Sequence, residues 1–483
     1  MVLSNTLTAL TQFNNATGGS IFGGQVPIDT AGPSVGPISN FGGFGGNYFR
    51  SLSPYHLKSF AVFGEGYFDL TDDLQLTVGL RYTDDQKEQD NIPTALFVPT
   101  PNGEPANLAP QPIPGNAPDD AGDGTYNVQF QETTGRIGLD WSPDLGFTED
   151  TLVYAFYSRG YKGGGINPPQ PAGASNFPQT FDPEFINAYE LGTKNTLAGG
   201  ALQLNMTGFM YDYEGYQISQ IVNRSSANFN IDAEIQGFEL ETIWNPVSTF
   251  VLNANLGLLD SSIKDTYAVD AHDRTNGRAD LITLKNASNF SNCVVSAAGY
   301  ATILGAIDAG VLDEGATAGL CVGAFAGAEA TFGVADVTYV DSNGQTQTIG
   351  GLTPFDGEAK DLDGNSIPGA PDTTLSLGAE YTWEALFGGN WNARVRTDYY
   401  YQGESFSRVW NTSGDSLESW TNLNLSFQLY NDENGLELEV FGKNITDEEV
   451  ITGRYLTDDS SGLFSNIFLT EPSLYGVSIR KTF

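Results

Sequence analysis

The chain has 483 residues, with 57 glycines, 12% aromatics, 2 cysteines, 2 histidines and a formal net charge of -38 from 59 acids against 21 bases. Such a polyanion is repelled by nucleic acid instead of gaining counterion release, which argues against a nucleic-acid partner. No run approaches the ~18 apolar residues of a transmembrane helix, and two histidines (His56, His272) with two cysteines leave no zinc cluster at ligand spacing.

Met1 to Leu10 lacks the basic residues and apolar run of a signal peptide, and residues 1–55, with Gly42-Gly43-Phe44-Gly45-Gly46, read as loop. After them, apolar and polar residues alternate with the side-chain period of a strand. Leu74, Leu76, Val78, Leu80 and Tyr82 oppose Gln75, Thr77, Gly79, Arg81 and Thr83. Leu375, Leu377, Ala379, Tyr381 and Trp383 form a second ladder, and Leu423, Leu425, Phe427 and Leu429 a third. Thirteen strands follow from this pattern, at 57–69, 73–86, 126–142, 151–162, 185–196, 200–222, 228–244, 248–260, 372–385, 390–402, 418–430, 435–446 and 473–483. The last alternates Tyr475, Val477 and Ile479 with Ser478 and Arg480 and stops on Phe483, the way bacterial outer-membrane barrels end.

Alternation alone fits two architectures. A soluble sandwich turns the apolar face into a dry core, and a membrane barrel turns it out to lipid. Loop length separates them. The connections at 70–72, 143–150, 197–199, 245–247, 384–389 and 431–434 are short and rich in Gly, Asp, Asn and Pro. Those at 87–125, 163–184, 261–371, 403–417 and 447–472 are long, and only the one near Asn223 is brief. One rim of turns and one of large loops is the barrel arrangement. Trp141, Trp244, Trp383 and Trp391 flank the short turns, with Phe250, Tyr430 and Phe483 at the same level, as an aromatic girdle at the headgroups would. The expected fold is therefore all-β: a transmembrane antiparallel β-barrel, partial, with long extracellular loops and short periplasmic turns. Thirteen is odd where single-chain barrels are even, and open edges do not survive in hydrocarbon. Residues 1–55 are then an extracellular loop segment, residues 56–483 the C-terminal part of a barrel, and the natural protein is expected to be longer at its N-terminus.

Five segments in order resemble the TonB-dependent outer-membrane receptors. They are Thr77-Val78-Gly79-Leu80-Arg81-Tyr82-Thr83, the run from Tyr154 through Ser158-Arg159-Gly160-Tyr161-Lys162 to Gly163-Gly164-Gly165-Ile166-Asn167, Pro183-Glu184 with Tyr189-Glu190-Leu191-Gly192, Ile367-Pro368-Gly369-Ala370-Pro371, and Val440 to Lys443 followed by Asn444-Ile445-Thr446-Asp447. Val450 replaces the aromatic usual after the last of these, and Lys481 an apolar residue near the end. The resemblance implies a barrel of about 22 strands, of which this chain would hold the C-terminal part, without the plug domain, TonB box and signal peptide. It implies an outer-membrane receptor in a Gram-negative bacterium, taking up a scarce small-molecule ligand, an iron–siderophore complex first and oligosaccharide or cobalamin next. TonB would engage the missing N-terminal region, the barrel-assembly machinery the C-terminal strand, and bilayer and lipopolysaccharide the outer wall. The alternatives are a passive porin and a soluble secreted β-sandwich binding protein.

No nucleophile–base pair, metal set or cofactor motif marks an enzyme. Gly163–Gly165 follows a strand without opening a helix, so it reads as a loop hinge and not a phosphate cradle. Asp361-Leu362-Asp363-Gly364-Asn365 lacks the sixth-position glycine and the distal glutamate of a calcium loop and reads as a solvated acidic turn. Cys293 and Cys321 share the loop 261–371, which holds 14 acids and 5 bases. In an oxidising compartment they are expected to pair, closing 29 residues (293 to 321 inclusive) and stiffening a lid over the mouth by ~3–4 kcal/mol. Arg81, Arg136, Glu239, Glu241, Arg394, Arg396, Glu437 and Glu439 fall on the polar face, and the resemblance, which implies a plug in the lumen, has them pair with the plug or neighbouring strands. Tyr161, Phe181, Phe406, Trp410, Tyr455 and Phe464 are the loop aromatics that could stack on a catechol or a sugar.

Overall fold

The computed structural model describes residues 49–52, 54–90, 92–96, 125–167, 178–222, 225–285, 292–310, 337–340, 345–349, 354–387, 389–459 and 462–482. Among them no helix is long and apolar enough to cross a membrane. Thirteen strands form one antiparallel sheet in sequence order. They are β1 (Tyr55–Asp69), β2 (Leu74–Asp90), β3 (Thr125–Trp141), β4 (Asp150–Lys162), β5 (Glu184–Leu197), β6 (Leu202–Val222), β7 (Ser225–Val247), β8 (Phe250–Lys264), β9 (Thr373–Leu386), β10 (Trp391–Gln402), β11 (Trp420–Asn431), β12 (Leu436–Lys443) and β13 (Leu474–Lys481). Each pairs with its neighbours in the chain, and β1 and β13 are not paired with each other, so the wall is open.

Register carries the alternation of each strand across the wall. Val78 faces Gly66 on one side and Ile137 on the other, and Leu377 faces Ala254 and Tyr399. The apolar set therefore shares one face, and that face is uncovered: Leu80 is 64% exposed, Leu377 41%, Leu425 45% and Ile479 73%. On the other face Thr77 and Thr83 are buried. Among the described residues no second layer packs on the greasy side, which is against the sandwich alternative. A wall that shows leucine outward and folds threonine inward has lipid for its outer solvent.

The short-turn rim is tight. Ala198, Gly199 and Gly200 turn β5 into β6 through consecutive positive φ angles of 55°, 68° and 85°, which glycine adopts without strain. Trp141, Trp244 and Trp383 stand on the outer face here, each more than 40% exposed, with Trp391 half-buried beside them. Trp141 Nε1 donates to Asp73 Oδ2 at 3.1 Å, and hydrogen bonds from Thr71 and then Trp141 hold the Asp73 carboxyl below its usual range. Tyr430 differs from expectation. It lies opposite Glu437, on the inner face, with the Arg394 guanidinium 5.4 Å above its ring. Its level in the sequence placed it with the girdle, but its parity along β11 turns it inward. Phe483 lies outside the described residues.

The long-loop rim carries the conventional dry core. Ile231, Ala233, Ile263, Leu362, Ile367, Val409 and Trp410 are buried together, with Tyr213, Tyr216, Ile218 and Phe229 against them. The segment after β8, expected as loop, contains structure of its own. Tyr267–Val269 pairs with Ala359–Asp361, Leu281–Lys285 with Asn292–Ser296, and Val337–Val340 with Thr346–Ile349. Helix α1 (Ala297–Asp308) starts where the Ser296 hydroxyl accepts from Gly299 N at 2.9 Å.

Candidate functional site

The segments that resembled family motifs act as fasteners between loops and wall. Asn167 is fully buried; its amide donates to the carbonyls of Pro178 (2.9 Å) and Asn228 (2.7 Å), and its oxygen accepts from Asn228 N. Just before it, a Cβ on Gly164 would collide with the Phe181 carbonyl, so the glycine run permits close packing against the ribbon Gly165–Ile166/Thr180–Phe181. Asn444, 1% exposed with φ 43°, donates to the carbonyls of Glu448 and Glu471, closing both ends of the last long loop on β12. Asparagine suits that place because its short amide tolerates the left-handed backbone and bonds locally.

Above these fasteners, three long loops lock to one another. Arg408 bonds Asp415 (Nε–Oδ1 2.5 Å) and Asp270 (Nη1–Oδ1 2.6 Å), all three side chains being nearly buried. Burial opposes the arginine's charge, but the hydrogen bonds it donates to its two aspartates outweigh it and raise the Arg408 pKa. Its guanidinium lies 5.1 Å over the Trp410 ring, and Trp410 Nε1 donates to the Ala268 carbonyl. Asn365 and Asn411 add side-chain bonds between the same two loops. The third loop enters through Asp459, 3% exposed, which takes Arg274 Nη2 at 3.0 Å and Asn292 N at 2.6 Å, while its carbonyl accepts from Lys285.

Between the locked loops and the tops of β6 and β7 lies a cavity of about 530 Å³. Tyr216, Phe229, Pro368, Trp410, Arg454 and Tyr455 are among its walls. Of the six aromatics singled out in the sequence, Trp410 and Tyr455 line it. Trp410 is chiefly a core residue at 5% exposure, whereas Tyr455 is 47% exposed. Phe406 and Phe464 sit in the same two loops without lining it: the Phe406 carbonyl accepts from Gly369, and Phe464 pairs with Thr457. Tyr161 and Phe181 lie elsewhere. Tyr161 donates to Asp85 at 3.1 Å and packs its ring 5.7 Å from Phe185. Arg408, Arg454 and Asp459 escaped the sequence reading, because single charged loop residues carry no periodic signal.

The charged residues assigned to the lumen lie on the inner face in register with one another. Arg136 bonds Glu65 at 2.8 Å, Arg394 and Arg396 share Glu380, Arg396 also bonds Asp398, and Glu437 faces Arg480. Gln428 donates to Glu439, Asn205 to Glu241, and Arg81 lies over the Phe63 ring. Glu239 stands opposite Thr207 and Gly257. Cys293 is buried and disulfide-bonded, and Cys321 lies outside the described residues. No group of three metal-ligating side chains occurs among the described residues. The Asp361–Asn365 turn is closed internally, with Asp361 accepting from Asp363 N at 3.0 Å.

A lipid-facing antiparallel wall, roofed at one rim by interlocked loops, defines an outer-membrane β-barrel receptor fold. A family model described as TonB dependent receptor-like, beta-barrel, matches residues 3–445, and the chain belongs to that family of transport receptors. Solved structures share the fold. The ferric yersiniabactin uptake receptor FyuA from Yersinia pestis aligns over 90% of this chain with a TM-score of 0.57 at 14% identity. The siderophore receptor PiuA from Acinetobacter baumannii aligns over 88% with a TM-score of 0.50 at 15% identity. The ferric-catecholate import receptor Fiu from E. coli K12, in its closed form, also gives 0.50 over 88%, at 13% identity. The alignments cover 47%, 43% and 44% of those three chains, so this chain spans under half the length of each.

Proposed function

We propose that the protein is the ligand-binding part of a receptor for TonB-dependent active uptake in the outer membrane of a Gram-negative bacterium, with an iron–siderophore complex as the ligand. The observation that carries this reading is the cavity of about 530 Å³ between three interlocked loops. That is the size and placement of a site for one small molecule, on a wall whose family consists of transport receptors. In this reading further strands close the edges left by β1 and β13, a plug fills the lumen and completes the pairing of its charges, and TonB pulls on the plug. Lipopolysaccharide and bilayer contact the apolar face, and the assembly machinery recognises β13. Cys293 pairs with Cys321 and braces the roof; non-reduced peptides showing two free thiols would remove that brace.

Uptake of radiolabelled iron by cells expressing the receptor, with and without a proton ionophore or a TonB deletion, tests the assignment. The expected result is accumulation from ferric siderophores that stops when the proton gradient or TonB is removed. Uptake of labelled cobalamin or oligosaccharide in their place would move the ligand within the same transport class. Liposome swelling by small sugars through the purified receptor would instead return a passive porin.

A further inference from the structure

Arg454 is the anomaly of the cavity. The chain carries 59 acids against 21 bases, and Arg136, Arg159, Arg274, Arg394 and Arg396 each hold a carboxylate partner. Arg408, in the same wall, has two. Arg454 forms no ion pair among the described residues: it donates from Nη1 to the Gly414 carbonyl, and its Nε is buried without a hydrogen-bond partner. The ribbon Ile451–Leu456/Ser465–Leu469 holds it beside Tyr455, with Trp410 across the same cavity. A guanidinium stays charged at any working pH and offers planar, paired donors suited to carboxylate or catecholate oxygens. Holding it in a partly dry wall without a counterion is unfavourable, and a ligand that brings negative charge would relieve it.

We infer that Arg454 selects for an anionic ligand, so that the cavity takes a negatively charged, aromatic-bearing chelate and discriminates against a neutral one. The inference rests on the receptor reading above and narrows it to a charge class. The net charge of -38 repels an anion at long range, so a guanidinium in the cavity wall supplies local attraction and placement. Tyr216, Phe229 and Tyr455 supply the faces on which a planar ring would lie.

The test uses the purified receptor in detergent, with quenching of tryptophan fluorescence as the signal, since Trp410 borders the cavity. The probes are a trianionic iron(III) tris-catecholate and a neutral iron(III) tris-hydroxamate. The receptor is expected to bind the catecholate more tightly. Arg454→Gln should weaken that binding by ~30-fold or more, as truncating one partner of a buried charge pair does, and change hydroxamate binding by no more than about twofold. Arg454→Lys, which keeps the charge and loses the fork, should retain the preference at reduced strength. Equal affinity for the two probes, or equal loss of both in Arg454→Gln, overturns the charge selection and leaves the receptor reading standing. Binding of neither probe overturns the iron–siderophore reading and this inference with it.

Discussion

The barrel wall and the loop roof bury opposite chemistries within one chain. In the wall, Leu80, Leu377 and Ile479 are exposed while Thr77 and Thr83 are covered. In the roof, Ile263, Leu362 and Val409 are covered, and the charged Asp280 lies toward solvent at the edge. The same residue types thus serve two solvents, lipid around the wall and water around the roof. The change occurs within single strands. On the inner face of β8 Asn255 is exposed, and Ile263, eight residues on along the same face, is fully buried under the roof. A hydrophobic residue therefore reports its environment only once the height along the strand is known.

Substitutions can break this contrast, and the largest effect belongs to the roof's charged joint. Asp459→Ala leaves Arg274 buried without its carboxylate and should cost ~3–5 kcal/mol of local stability. Proteolysis of intact cells should then cut the loops while heat-modifiable mobility of the barrel is kept; an uncut roof would show that Asp459 is not its joint. In the wall, Leu377→Arg should destabilise folding into lipid vesicles by ~2–4 kcal/mol, the depth-dependent penalty for arginine near the bilayer midplane. A neutral result in urea titration would mean that this face does not meet hydrocarbon. Ile263→Val, which trims one methylene under the roof, should cost ~0.5–1.5 kcal/mol, again read in the loops and not in the barrel. Smallest is Arg480→Ala on the inner face. Its pair with Glu437 is largely exposed, so the change should be about 1 kcal/mol or less and fade with added salt.

Sequence made the wall legible and left the roof dark, for a physical reason. A strand with lipid on one side and a polar lumen on the other must alternate, so 57–69 foretold Tyr55–Asp69 and 390–402 foretold Trp391–Gln402. Where β6 and β7 rise above the membrane the pressure to alternate ends, and β7 starts at Ser225, earlier than the expected 228. The roof is held by single contacts between residues far apart in sequence, such as Asp270 with Arg408 and Arg274 with Asp459. No local period encodes those. Tyr455 was named for its type and does line the cavity, but Arg454 beside it, a single charged loop residue, carries no periodic signal. Asn167 and Asn444 stood inside recognised segments, and only geometry explains them as clamps.

The joint at Asp459 also bears on how such a receptor can change its cargo. Its side chain and carbonyl together hold Arg274, Lys285 and Asn292, so segments 174 residues apart from Lys285 to Asp459 share one fixed point. Lineages exploring new ligands are then free to vary the cavity-lining tips, such as the Tyr455 ring, while both halves of this anchor are inherited together. Exchange of one loop alone between related receptors would separate the halves, so productive recombination has to carry the loops as a set.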